Sequence, residues 1–368
     1  MRQTAIPFHF LRGGSSRGAY FHRDDLPAQR HVLAKVLTAA FGSGHMLNID
    51  GIGGGASVTT KAAILSPSAE PDIDVDYFFA QVSVEERLVD FKPTCGNILA
   101  GVGPAAIEMG IVPVADGETR VRIRAVNTGA RVDAVVQTPC GAVRYDGDTS
   151  IDGVPGTAAP VRLHFMNIVG DITGALLPTG QAREEIDGIE VTCIDVAMPL
   201  CVARAEDFGL TGRETAEELD ANHAFYERME PIRLEAERRM GIGDSPTSVT
   251  PKFAVVSAAA GEGDFTARYF TPFHCHPSLA VTGAQCLAAC ALTPGSVADG
   301  LVAAESSPAD VVIEHPMGAI SVHMEFKRRG SSLDIHSAGL VRTARLIARG
   351  ELFVPGSVWS SSYQAIKK

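Results

Sequence analysis

The chain has a single tryptophan, only 6% aromatic residues, and seven cysteines with no C-x-x-C pair among them. An odd, scattered cysteine set excludes a disulfide framework and leaves reduced thiols as the expectation. Long apolar runs are also missing. Arg, Asp, Gly or Pro interrupts every stretch before it reaches the roughly 18 to 20 residues that a membrane helix needs. The opening MRQTAIPFHFLRGG, with Arg2 and a short Pro-interrupted apolar stretch, suits a first strand rather than a signal peptide, so the cytoplasm is the expected compartment. Basic residues are in the minority, 32 Lys and Arg against 43 Asp and Glu, and a net charge of −11 offers nucleic-acid phosphates no broad surface. With 368 residues, 45% of them hydrophobic, the chain can instead build two domains, each with its own core.

The same landmarks occur twice in the same order. AYFHRDDL with Asp25 matches CVARAEDF with Asp207; TTKAAILS with Lys61 matches TPKFAVVS with Lys252; CGNILAG with Asn97 matches AVTGAQC with Thr282. VRIRAVNTGARV with Gly129 matches VVIEHPMGAISV with Gly318, and GVPGTA with Thr157 matches GLVRTA with Thr343. The five offsets all lie between 182 and 191 residues, which predicts an internal duplication, residues 1–183 and 184–368, with two lobes related by a pseudo-twofold axis. GQAREEIDG, residues 180–188, is the expected linker.

Most apolar segments are short and β-branched, as in VDYFFAQVSV, TRVRIRAV and GIEVTCIDV, which is a strand signature. Ile98, Leu99, Val102, Ala105, Ala106 and Met109 keep a helical period, with small residues on the other faces, and predict a buried helix that Pro104 kinks or splits. The charged stretch from Glu214 to Arg239 predicts a solvated helix. The expected class is α+β, two mixed lobes, each a curved, mostly antiparallel sheet around a central helix, with a cleft between them. Cys286 and Cys290, near His274 and His276, read as small hydrophobes packed in a helix, so no metal is expected.

Four features could carry chemistry. Cys95-Gly96-Asn97 stands just ahead of the predicted buried helix, where free N–H groups favour a thiolate; the same residues also suit a packed cysteine and a turn. Lys61 sits in an apolar, hydroxylic strand, where desolvation would favour the free amine as a general base, unless the side chain reaches water from an edge strand. Lys252 is its counterpart, and nothing local chooses between them. The loops Arg12 to Gly18, with Gly14, Ser15 and Ser16, and Gly51 to Ser57, with Gly53 and Gly54, expose N–H donors that could cradle a small anion or simply make tight turns. Arg268 leads toward the second lobe's equivalent of the Cys95 position.

These segments together resemble a known family. RGGSSRGAYF, IDGIGGG, TTKAAI, KPTCGNILAGVGP, LLPTG, EVTCID and HPSLAVTGA are similar to the family that includes 4-oxalomesaconate tautomerase and 2-methylaconitate isomerase. The resemblance implies a diaminopimelate epimerase-like fold and a cytoplasmic, cofactor-independent isomerase. Epimerases of that fold place a catalytic cysteine in each lobe, but Ala280 stands here where the second would be, which disfavours a two-thiol racemase. The isomerase branch implies Lys61 and Cys95 as the catalytic pair, facing each other across the groove between the lobes. Gly14, Ser15, Ser16, Gly53, Gly54, Gly96, Asn97, Arg268 and Ser278 are the implied substrate contacts. Arg17 replaces the lysine of the family's usual G-G-T-S-K-G loop. The implied partner is a small polycarboxylate, 4-oxalomesaconate ahead of 2-methylaconitate or aconitate, and the assembly is a monomer or a homodimer. A non-catalytic polycarboxylate binder is the reading from another class.

Overall fold

The computed structural model describes residues 3–243, 248–271, 273–304, 306–330 and 332–360; Met1 and Arg2 lie outside them. The chain forms two compact units, one reaching His164 and resuming at Val341, the other running from Phe165 to Leu340. Compactness thus cuts the chain differently from the sequence repeat, because the last strand contributes to both units.

The first unit contains β1 (Gln3–Gly13), β2 (Ser16–His22), α1 (Arg30–Phe41), β3 (Lys61–Pro67), β4 (Val75–Val82), β5 (Val89–Asp90), α2 (Gly96–Leu99), α3 (Val102–Glu108), β6 (Gly117–Ala125), β7 (Arg131–Thr138) and β8 (Pro160–Met166). The second contains β9 (Glu184–Ile186), β10 (Ile189–Asp195), β11 (Pro199–Arg204), α4 (Ala216–Asp220), α5 (His223–Arg239), β12 (Lys252–Ala258), β13 (Phe265–Phe270), α6 (Val281–Leu292), β14 (Ala309–His315) and β15 (Gly318–Arg329). The long β16 (Ser332–Pro355) pairs with β15 through its first part and with β1 through its last.

The duplication read from the sequence is visible in the ladders. β2 runs parallel to β3 with Gly18 opposite Lys61, and β11 runs parallel to β12 with Leu200 opposite Lys252. Each unit continues with an antiparallel pair (β3–β4, β12–β13), a parallel pair (β4–β6, β13–β14) and another antiparallel pair (β6–β7, β14–β15). Even a bridging carboxylate recurs: Asp74 accepts from the Arg122 amide at 2.8 Å, and Asp264 from the Val312 amide at 2.7 Å.

Each sheet has helices on both faces. In the first unit α1 buries Leu33, Val36, Leu37, Ala40 and Phe41, a helical stripe packed on Ala19, Phe21, Ala62, Ile64 and Ala80, and ends at the left-handed Gly42. The expected central helix is split into α2 and α3, with Pro104 in the first turn of α3, where its missing N–H costs no bond. Gly101 at the break is required by packing, since a Cβ there would lie 2.2 Å from the Tyr20 hydroxyl. Its counterpart α6 is continuous over 12 residues and nearly all buried, including Cys286 and Cys290.

Two expectations need correction. The linker stretch carries β9, which pairs with β10; its polar residues stay in place because Arg239 bonds Glu184 at 2.9 Å and the Glu185 carbonyl at 3.0 Å. The charged Glu214 to Arg239 stretch is not simply solvated. α5 buries Phe225, Met229, Ile232 and Ala236, and Arg233 is 0% exposed because Glu230 and the Ser248 and Pro251 carbonyls satisfy its guanidinium.

Candidate active site

The first unit gathers most of the expected site residues on one face of its sheet. Successive β-strand side chains alternate between faces, so Tyr77, Phe79 and Gln81 of β4 point the same way. Lys61 is directly opposite Gln81. Its Nζ donates to Gln81 Oε1 at 2.6 Å and lies 5.4 Å from the Phe79 ring centre. Among the described residues no carboxylate pairs with it. The Tyr77 ring follows at 6.4 Å from Phe79, and its hydroxyl donates to the Cys95 carbonyl at 3.4 Å. Lys61, Phe79, Tyr77 and Cys95 therefore form a continuous chain of neighbours. Both catalytic candidates, expected in the first half of the chain, lie in the first unit.

Cys95 is half-buried and caps α2. The Tyr20 hydroxyl donates to the Ile98 carbonyl at 2.6 Å, so two tyrosines hold carbonyls at the start of that turn. Burial, and after it the neighbouring Cys95 thiol, push both phenols well above their ordinary range, so they stay protonated donors. Because α2 is a single turn, the dipole of a long helix expected behind Cys95 is not available there.

Asn97 joins this end of the sheet to the β1–β2 hairpin. Its Nδ2 donates to Ser15 Oγ at 3.1 Å, and its Oδ1 accepts from the Ser15 amide at 3.4 Å. Gly14 takes a left-handed φ of 53°, and a Cβ there would lie 2.2 Å from Asn97 Oδ1. The glycine thus serves the turn and the close approach together. Arg12 clamps the hairpin by donating to the Gly14 carbonyl at 2.8 Å and to the Thr343 carbonyl and hydroxyl, each at 3.0 Å. Ser15 is exposed and Ser16 is buried, 3% exposed.

The second glycine loop divides in two. Gly53 packs on the end of α1, where a Cβ would lie 2.6 Å from the Phe41 carbonyl oxygen, and Asn48 pins the loop through Gly42, His45 and Val84 carbonyls. Gly54 is exposed, beside the Arg17 guanidinium and the Thr59 hydroxyl. Arg17 pairs with no carboxylate among the described residues, so Gly54 and Arg17 form the more open part of the loop.

The second unit treats its candidates differently. Ala280 caps α6 as Cys95 caps α2, which places the missing second cysteine where the resemblance put it. Arg268 does not reach that end. Ala267 and Tyr269 face α6, and Arg268, between them, turns to the opposite face, where Nε donates to the Glu214 carbonyl at 2.6 Å. Ser278 donates its amide to His276 Nδ1 at 3.1 Å. Lys252 is pushed down by burial and then by the Arg233 guanidinium. Among the described residues no cluster of His, Cys, Asp and Glu could hold a metal, and no helix is long and apolar enough to cross a membrane.

The sequence reading missed Gln81, Tyr77, Tyr20 and Arg12. Alternation in VDYFFAQV was the available signal for the first two. LLPTG and EVTCID are tied to each other: the Asp195 amide donates to the Leu176 carbonyl, and its carboxylate accepts from Ile172 and Thr173.

Comparison with known proteins decides the family. The model of the PrpF protein family matches residues 3–355. The chain belongs to the PrpF family. PrpF relatives include the putative isomerase YbhH of Escherichia coli, 46% identical over 95% of this chain and 99% of the relative, and the 4-oxalomesaconate tautomerase of Pseudomonas putida, 45% identical over 98% and 99%. Among solved structures, a methylitaconate-delta-isomerase superposes with a TM-score of 0.89 at 32% identity, covering 100% of both chains. The α+β architecture implied by the sequence is therefore the fold that this chain shares with that isomerase.

Proposed function

We propose that this PrpF-family chain is an isomerase that moves a proton within an unsaturated tricarboxylate, with 4-oxalomesaconate as substrate. The observation that carries the reading is the Lys61 amine, which has no carboxylate partner among the described residues, joined through Phe79 and Tyr77 to the Cys95 turn and set beside the Ser15–Asn97 pair. Lys61 takes a proton from carbon next to a conjugated carboxylate or keto group. The electron pair spreads over the conjugated system onto oxygen, and Lys61 or Cys95 returns a proton to another carbon or to oxygen. The substrate's own conjugation carries the charge, so the step calls on no cofactor. Ser15, Ser16, Gly96, Asn97 and the open Gly54 supply donors for carboxylates and Arg17 adds a cation next to Gly54, while Gly14 and Gly53, whose amides already bond the Thr343 and Phe41 carbonyls, shape the two loops.

Identity supports the substrate: 45% and 43% to two relatives named for oxalomesaconate, against 34% to a 3-methylitaconate isomerase and 31% to a 2-methyl-aconitate isomerase. Isomerisation of 2-methylaconitate or aconitate is the second reading, supported by the 31% identity to a 2-methyl-aconitate isomerase. A pure binder would need neither the amine nor the thiol. An ultraviolet assay of the purified protein with 4-oxalomesaconate and 2-methylaconitate side by side tests all three. Conversion of the first is expected. Conversion of only the second replaces the substrate and leaves the chemistry, and binding with conversion of neither refutes the enzyme reading.

A further inference from the structure

Resting on the reading of Lys61 as the proton-transferring amine, we infer that Gln81 is a positioning residue whose amide fixes Nζ and ties it to the backbone of residues 57–60. The Gln81 Nε2 has the Ser57 and Thr60 carbonyls at 3.1 Å, and the Thr60 hydroxyl and Val82 carbonyl at 3.3 Å. Flipping the amide would set its oxygen against three carbonyls, so Oε1 is the end left for Lys61. The resulting bond is short, 2.6 Å, between residues directly opposite each other on antiparallel strands. A lysine amine rides on a flexible four-carbon stem, and this contact, with the Phe79 ring beneath it, selects one placement.

The neutrality of Gln81 is as important as its shape. A carboxylate in the same place would hold the side chain opposite as an ammonium and remove the lone pair that takes the proton. An apolar side chain would leave the amine free to swing. The amide accepts one N–H and brings no charge to the amine. Through Ser57 and Thr60 it also makes the Lys61 position depend on the segment that follows Gly54.

Two variants of the full-length protein test this, read in two ways. Acetylation of Lys61 by acetic anhydride across a pH series, quantified on the Lys61 peptide by mass spectrometry, needs no substrate. Gln81→Glu should move the half-labelling pH upward by about one unit or more. Its turnover at neutral pH should fall about tenfold or more and recover in alkali. Gln81→Met, close to glutamine in size and uncharged, should lower kcat about 10- to 100-fold with KM little changed and no alkaline recovery. Wild-type labelling and wild-type kcat in both folded variants would overturn the role of Gln81. Undiminished activity in Lys61→Ala would instead overturn the catalytic reading, and the labelling series would still judge Gln81 as the group that fixes the amine.

Discussion

The two units repeat one backbone plan and put different chemistry on it. Gly18 opposite Lys61 and Leu200 opposite Lys252 occupy the same place in the same parallel ladder. Lys61 has an amide acceptor and a nearby capping cysteine; Lys252 has Arg233 in its field and an alanine at the cap. A second contrast lies at the far end. Arg124 in β6 is held by Asp76 and Glu70, whereas the matching position in β14 is Glu314, whose carboxylate accepts from the Ala260, Gly261 and Gly263 amides and the Thr266 hydroxyl. Burial raises the Glu314 carboxyl, but those donors outweigh it and hold it at about 2. The duplication therefore constrains hydrogen-bonded geometry and leaves charge and reactivity free to diverge.

The strongest way to break this asymmetry is to remove each lysine. Lys61→Ala should lower turnover by about 10² to 10⁴, the span of a general base, and Lys252→Ala by no more than about threefold, both read in the ultraviolet assay. Equal losses would mean that the units share the chemistry. The caps give a smaller effect: Cys95→Ser should cost about 10²-fold, at the lower end of that span, and Ala280→Cys should leave the rate within about twofold without creating a racemase. Chiral chromatography after incubation with amino acids checks the second point.

The smallest effects are on stability. Glu314→Gln leaves three amides competing for one neutral acceptor and should cost about 1 to 3 kcal/mol in urea titrations, and Arg124→Gln about 1 kcal/mol or less, since the arginine and its carboxylate partners are partly exposed. The pH dependence follows from the depressed Glu314 carboxyl. Its contribution is complete above the ordinary carboxyl range and disappears as pH falls toward about 2, so Glu314→Gln should flatten acid unfolding in that window. An unchanged slope between about pH 4.5 and 2 would contradict the assignment.

Much of this asymmetry was legible in the sequence. The paired landmarks pointed to the duplication, and Cys95-Gly96-Asn97 against Ala280 marked which cap carries a thiol. Arg268 was misplaced because every residue of β13 is buried, with helices on both faces, so no polar alternation revealed its side. Gln81 was passed over as an ordinary polar residue, since its role depends on the register that sets it opposite Lys61, which a single strand does not encode. The domain cut at His164 and Val341 depends on where the long last strand pairs, a non-local fact.

The most direct measurement follows hydrogen exchange by NMR, with wild-type protein and Lys61→Ala incubated in D₂O with 4-oxalomesaconate. The account predicts that wild type places solvent deuterium on the reacting carbon while product forms, and that Lys61→Ala does neither above background. Exchange at the wild-type rate without Lys61 would contradict it.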